Sequence, residues 1–150
     1  MVGGGWWHEP LVNYAALLGI SDAVTFHGHV DDVAKHHIVH RAWVHVLPSR
    51  KEGWGLAVIE AAQHGVPTIG YASSGGLADS IVDGVTGLLV ADRDELIERL
   101  AQLLDDAELR NGLGDKAQAR SGDFSWPQSA QAMRTVLDAV HHGRRVTGVM

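Results

Sequence analysis

Short β-branched runs alternating with helical stretches constrain this chain more than any other feature. Val24-Thr25-Phe26, Val44-His45-Val46-Leu47, Thr68-Ile69-Gly70-Tyr71 and Thr86-Gly87-Leu88-Leu89-Val90 are nearly all apolar or β-branched. Strands covered on both faces have that composition, whereas a strand with one wet face alternates. Between the runs, the pattern predicts helices over residues 10–18, 31–42, 56–64 and 77–82. A strand–helix–strand rhythm implies an α/β fold whose parallel sheet has right-handed crossovers and flanking helices. After Val90 the rhythm changes. Asp92-x-x-Glu95 is a capping box ahead of Leu96, Ile97, Leu100, Leu103 and Leu104, an apolar stripe at helical spacing. Asp105-x-x-Glu108 predicts a second helix start. Ser125-x-x-Gln128 predicts a third, with Pro127 tolerated in its first turn. The last third is therefore a helical extension, with Phe124 and Trp126 as its anchors. No repeat or Pro-, Gly- or Ser-rich linker divides the 150 residues, which read as one domain.

Composition narrows the function classes. The chain has 12 Lys and Arg against 18 Asp and Glu, a net charge of −6 with His neutral. That balance argues against a nucleic-acid-binding module, whose phosphate contacts need clustered cations. With no Cys, disulfides, Cys-zinc sites and thiol nucleophiles are excluded. No apolar run reaches the ~18 residues that span a bilayer. Met1-Val2-Gly3-Gly4-Gly5 has neither a basic nor an apolar leader region, so a cytoplasmic location follows by default. The same five residues resemble the end of a strand running into a Gly-rich turn and then a helix.

The most informative stretch is Pro48-Ser49-Arg50-Lys51-Glu52-Gly53-Trp54-Gly55-Leu56-Ala57-Val58-Ile59-Glu60-Ala61. It follows one expected strand and opens a helix. Ligands of open α/β sheets bind beyond the carboxyl ends of the strands, where this loop sits. Gly53 and Gly55 let a backbone approach a ligand closely. The helix start at Leu56 offers free N–H groups to a diphosphate. Glu52 stands at the mouth of that helix and Glu60 about two turns in. Carboxylates accept hydroxyl hydrogen bonds well, which is the chemistry of sugar recognition. On the residues alone, a ligand loop and a plain turn with a surface glutamate are equally good readings. Glu60 is flanked by Ile59, Ala61 and Ala62, so a fully wet face is not expected for it. A second loop, Ala72-Ser73-Ser74-Gly75-Gly76-Leu77, has the same geometry and would line the same crevice. His27-Gly28-His29-Val30-Asp31 follows the first expected strand and is weak evidence by itself. His36 and His40 stand at i, i+4, a spacing that can grip a metal, but no third ligand is evident. Trp6, Trp7, Trp43 and Trp126 read as core, whereas Trp54, between glycines, reads as ligand-facing. Gly-x-Ser-x-Gly and Gly-x-x-x-x-Gly-Lys-Ser/Thr are both absent from the sequence.

The run Pro48-Ser49, Glu52-Gly53-Trp54-Gly55-Leu56, Ile59-Glu60-Ala61 and Gly65-Val66-Pro67 resembles the donor-site signature of retaining GT-B glycosyltransferases of family GT4. In that signature two Glu are separated by seven residues. The resemblance extends in order through Val24, Phe26, Gly28 and Val30, then Gly75-Gly76-Leu77, Ile81, Asp83-Gly84 and Thr86-Gly87-Leu88-Leu89-Val90, and on to Phe124-Ser125-Trp126. Five spaced motifs in order are a specific match over almost the whole chain. The resemblance implies a Rossmann-like domain, the donor-binding C-terminal half of a GT-B fold. It implies a UDP- or GDP-linked sugar as donor substrate and no cofactor or metal. Glu52, as the catalytic residue, with Gly53, Trp54, Gly55 and Leu56, would meet the sugar and diphosphate, and Glu60 the ribose. The base would lie near His29, Val30 and Asp31, with Lys35 at its edge. The acceptor, a lipid, sugar or small metabolite, would belong to the other half of the fold, and peripheral membrane association fits such acceptors. Family members are about twice as long. The acceptor domain is expected to be missing, as is the donor domain's first strand with its diphosphate-binding Arg and Lys. A nucleotide-sugar-binding fragment without turnover is the alternative from another class. A sugar-nucleotide epimerase ranks below both, because Glu52-Gly53-Trp54-Gly55-Leu56 is not expected there.

Overall fold

A computed structural model describes residues 1–145. They divide into two units, Met1–Arg41 and the chain from Ala42 onward.

The second unit carries the sheet. Strands β1 (His45–Leu47), β2 (Thr68–Tyr71) and β3 (Gly87–Val90) lie parallel in the order β1-β2-β3. His45 stands beside Thr68, and Thr68 beside Gly87. Helix α3 (Leu56–Ala62) returns the chain from β1 to β2, and α4 (Leu77–Ser80) from β2 to β3. Successive side chains of a strand point to opposite faces, and the packing follows that period. Val46, Ile69, Tyr71, Leu88 and Val90 gather with Leu96 of α5 (Arg93–Asp105) on one face. Leu47 and Leu89 meet Val58, Leu77 and Ile81 on the other. Covering both faces removes the need for polar residues, so the strands read as continuous apolar runs. Helices α6 (Ala107–Ser121) and α7 (Trp126–His141) complete the extension.

The extension begins as the sequence predicts at two of its three caps. Asp92 accepts from the backbone N–H groups of Asp94 and Glu95, both at 3.0 Å. Ser125 Oγ accepts from Gln128 N at 3.4 Å. The middle cap is one residue later than expected. Asp106, not Asp105, accepts from Leu109 N at 2.9 Å, because α5 runs on through Asp105. Helix α4 stops at Ser80 rather than residue 82, since Ile81 turns to extended backbone and buries its side chain against Val58 and Leu77.

The first unit holds α1 (His8–Leu17), a short 3-10 turn at Ser21–Ala23, and α2 (Asp32–His40). Residues 24–26, expected as a strand, join no sheet. Met1 N donates to Thr25 O, His27 N to Met1 O at 2.9 Å, and Gly3 N to Gly28 O at 2.8 Å. That extended pairing is too short to form a strand, because the glycine turn at 3–5 leads away into α1. The Gly-rich turn and following helix are as the sequence predicts.

The tryptophans correct the expected core. Trp6, Trp7, Trp43 and Trp126 are all exposed, Trp126 at 89%. Trp43 carries the Arg110 guanidinium 4.6 Å above its ring. Helix α7 starts at Trp126 and turns that side chain outward, so Phe124, half-buried, is the anchor.

Candidate donor-binding site

Beyond the carboxyl ends of β1 and β2 the two strands continue as paired loops. Glu52 N donates to Ser74 O at 2.8 Å, and Gly76 N donates to Glu52 O at 3.1 Å. Together they form an isolated parallel bridge between Glu52 and Gly75. A Cβ on Gly76 would stand 1.9 Å from Gly53 O. The loops therefore meet backbone to backbone, and a side chain at residue 76 would force them apart. The two loops that the sequence placed on one crevice are a single structural element.

Gly55 closes the first loop with φ of +82°, a left-handed conformation that costs other residues strain. Helix α3 starts there and has seven residues, two fewer than predicted. In its first turn the N–H groups of Leu56 and Ala57 lie outside the intrahelical ladder. The Leu56 side chain is exposed, and Gly53 is open, with nothing within 4 Å of where a Cβ would stand. Glu52 and Trp54 are half-buried. The Trp54 ring, expected from the sequence to face a ligand, packs instead edge-on against Phe124, with ring centroids 4.8 Å apart. Arg50 and Lys51, beside Glu52, are exposed.

Glu60 is half-buried, between buried Ile59 and Ala61. Its carboxylate acts electrostatically on His45 of β1. Burial holds the His45 imidazole below the ordinary histidine value of 6.5, while Glu60 opposes that shift. His45 Nδ1 and Thr68 Oγ1 lie 3.0 Å apart, so a neutral imidazole has a partner inside the sheet edge. Glu60 is thus not on a fully wet face, as its apolar neighbours in the sequence suggest. His45 was not evident from the sequence, because its run reads simply as a strand.

Val30, Asp31 and Lys35 belong to the first unit. Val30 is half-buried. Asp31 caps α2, accepting from Ala34 N at 2.7 Å. Lys35 Nζ donates to Asp32 Oδ1 at 2.9 Å, which holds the exposed Asp32 carboxyl below the usual range. His29 is exposed. Asp31 and Lys35 therefore have local structural partners.

Among the described residues no three His, Asp or Glu side chains gather into a set that could hold a metal. Reading residues 92–95 as a capping box passes over the fact that Asp92-Arg93-Asp94 is also an Asp-x-Asp triplet. In the structure the Asp92 carboxylate is the N-cap of α5. No helix among the described residues is long and apolar enough to cross a membrane.

Comparison with known proteins gives this geometry a context. The family model described as glycosyl transferases group 1 matches residues 1–120. A D-inositol 3-phosphate glycosyltransferase of Frankia alni is 38% identical over 136 residues, which is 89% of this chain and 32% of that protein. A glycogen synthase of Mycobacterium tuberculosis is 32% identical over 148 residues, 97% of this chain and 36% of that protein. The chain therefore spans about a third of the length of these curated relatives. Sucrose-phosphate synthase of Thermosynechococcus elongatus superposes with a TM-score of 0.80 at 29% identity, over 92% of this chain and 38% of that one. Anabaena HepE, solved in complex with UDP and glucose, superposes at 0.81 with 21% identity, over 92% of this chain and 39% of that one, and shares the fold. The fold is the Rossmann-like half of a GT-B glycosyltransferase. With the family model covering 120 of 150 residues, including both paired loops and α3, the chain belongs to the glycosyl transferases group 1 family.

Proposed function

We propose that this chain is the donor-binding part of a GT4 glycosyltransferase, which takes a UDP- or GDP-linked sugar and transfers the glycosyl group with retained anomeric configuration. Glu52 acts at the sugar. Gly53, Trp54, Gly55 and Leu56 cradle the diphosphate, and Glu60 takes the ribose hydroxyls. The acceptor is a lipid, a sugar or a small metabolite, reached in the cytoplasm or at a membrane surface. The observation that carries this reading is the backbone zipper between Glu52 and Gly75-Gly76. It fixes a carboxylate-bearing, glycine-rich loop beyond the carboxyl ends of two parallel strands, where such sheets bind their ligands. The relatives' names as glycosyltransferase and glycogen synthase support the same chemistry. Polar hydroxyl and diphosphate groups match the functional groups this loop offers. For this chain by itself, binding without turnover is the second reading, favoured by its span of about a third of the relatives' length.

A thermal-shift and calorimetry panel of UDP-, GDP- and ADP-sugars tests the proposal. One base series should raise the melting temperature, and its sugar-bearing member should bind tighter than the free nucleoside diphosphate. A chain indifferent to all three series would end the donor reading.

A further inference from the structure

The back of the donor loop is held by side chains from the far end of the sequence. Trp54 packs against Phe124 with an interplanar angle of 71°, the edge-to-face geometry that aromatic pairs prefer. The Arg120 guanidinium lies 5.3 Å above the Phe124 ring. Its Nη2 donates to the Asp79 carbonyl at 3.0 Å. Asp79 belongs to α4, which opens directly from the second loop at residues 72–76. Arg120 therefore joins both loops of the site, the first through Phe124 and Trp54, the second through α4. Its Nε is buried and has no hydrogen-bond partner among the described residues. Leaving a buried cationic donor unpaired is costly, and the ring and carbonyl contacts of this arginine are what offset that cost.

Resting on the reading of residues 52–56 as the donor loop, we infer that Phe124 and Arg120 are positioning residues for that loop. In this reading both act through Trp54 and α4 and not on the ligand itself. They fix Trp54, and through it the backbone of Gly53 and Gly55, so that the loop is ordered before a sugar diphosphate arrives. Glycine-rich loops lose much conformational freedom when they order, and a loop ordered in advance binds tighter.

The test uses the full chain labelled with 5-fluorotryptophan, with the Trp54 resonance assigned by Trp54→Phe. Phe124→Leu should shift and broaden that resonance, and Arg120→Gln should move it in the same direction. Phe124→Tyr, which keeps the ring, should leave it near its original place. In calorimetry with UDP-glucose and GDP-mannose, Phe124→Leu should weaken the probe that binds by about three- to tenfold, the worth of one aromatic pair. Phe124→Tyr should restore the affinity. A Trp54 resonance unmoved by Phe124→Leu and Arg120→Gln overturns the inference, as does an equal loss of affinity in the Tyr and Leu variants. If the unaltered chain binds no member of the UDP-, GDP- and ADP-sugar panel while both substitutions still move Trp54, the donor reading fails and the positioning contact stands. Should Phe124→Leu fail to fold, Arg120→Gln against Phe124→Tyr makes the same comparison.

Discussion

Glu52 and Glu60 have the same side chain and different surroundings, and those surroundings predict different losses. Glu60 is half-buried against β1, within electrostatic reach of His45, whereas Glu52 sits in the open loop zipped to Gly75. If Glu60 holds ribose, Glu60→Gln weakens the free nucleoside diphosphate and the nucleotide sugar alike, by about 1.5–3 kcal/mol for a charged hydrogen bond. If Glu52 holds the sugar, Glu52→Gln weakens only the sugar-bearing ligand. Calorimetry with both ligands on both variants separates these roles, and equal losses at Glu52 with and without the sugar would refute its assignment. His45 supplies a second prediction. Burial lowers its folded pKa below the ordinary value of 6.5, so as pH falls through that value the unfolded chain takes up the proton first. The stability lost through His45 therefore accrues from about pH 6.5 down to its lowered folded pKa and stays lost below it, with nothing lost above pH 6.5. Urea titrations across that range should show the acid limb flattened in His45→Gln. The glutamate spacing was legible in the sequence. The imidazole was not, because burial comes from the elements packed on β1 and not from its own run.

Helix packing on the sheet turns on single methyl groups. Helix α6 contains two glycines, and the sequence does not distinguish them. A Cβ on Gly114 would stand 2.1 Å from the carbonyl of Gly65, in the turn that ends the α3 crossover, whereas one on Gly112 meets nothing within 4 Å. Gly114→Ala must push α6 off that turn and should destabilise by about 1–3 kcal/mol. Gly112→Ala removes only the entropic penalty of a helical glycine and should stabilise by about 0.5–1 kcal/mol. Denaturant unfolding of the two variants should therefore move in opposite directions. A stabilised Gly114→Ala would mean that α6 and the Gly65 turn are not packed as described. The apolar spacing of Leu96, Leu100 and Leu103 made α5 legible. Which glycine of α6 is a contact became visible only when residue 65 was brought beside residue 114.

At the scale of the molecule, burial is uneven. Within Met1–Arg41, Ala15 is the buried residue among the described ones, while Ile69, Leu77, Ile81, Val90 and Leu103 are fully enclosed in the second unit. Segments with few buried apolar groups open at lower free energy. Hydrogen exchange should therefore be fast through α1 and α2 and slow through β2 and β3, and uniform protection would contradict that ordering. We further predict that donor binding survives excess chelator, and that the isolated chain, given simple lipid and sugar acceptors, transfers no glycosyl group to them over many turnovers. Affinity that collapses with chelator and returns with Mn²⁺ would sink the first. Sustained transfer to the acceptor would sink the second, because it would show that the proximity of an acceptor, a term of about 7–11 kcal/mol, is supplied by this chain alone. The sequence by itself determined the α/β rhythm, the parallel strands from residue 45 on, the helical extension and the family, because periodicity, caps and spaced glycines are local properties that survive in one dimension. Only the tertiary structure decided that residues 24–26 join no sheet, that four tryptophans stay exposed, that the two glycine loops are zipped together, and that Phe124 and Arg120 stand behind Trp54. Each of these depends on which distant backbone comes within reach, and contacts across 23 to 70 residues leave no periodic trace in the chain.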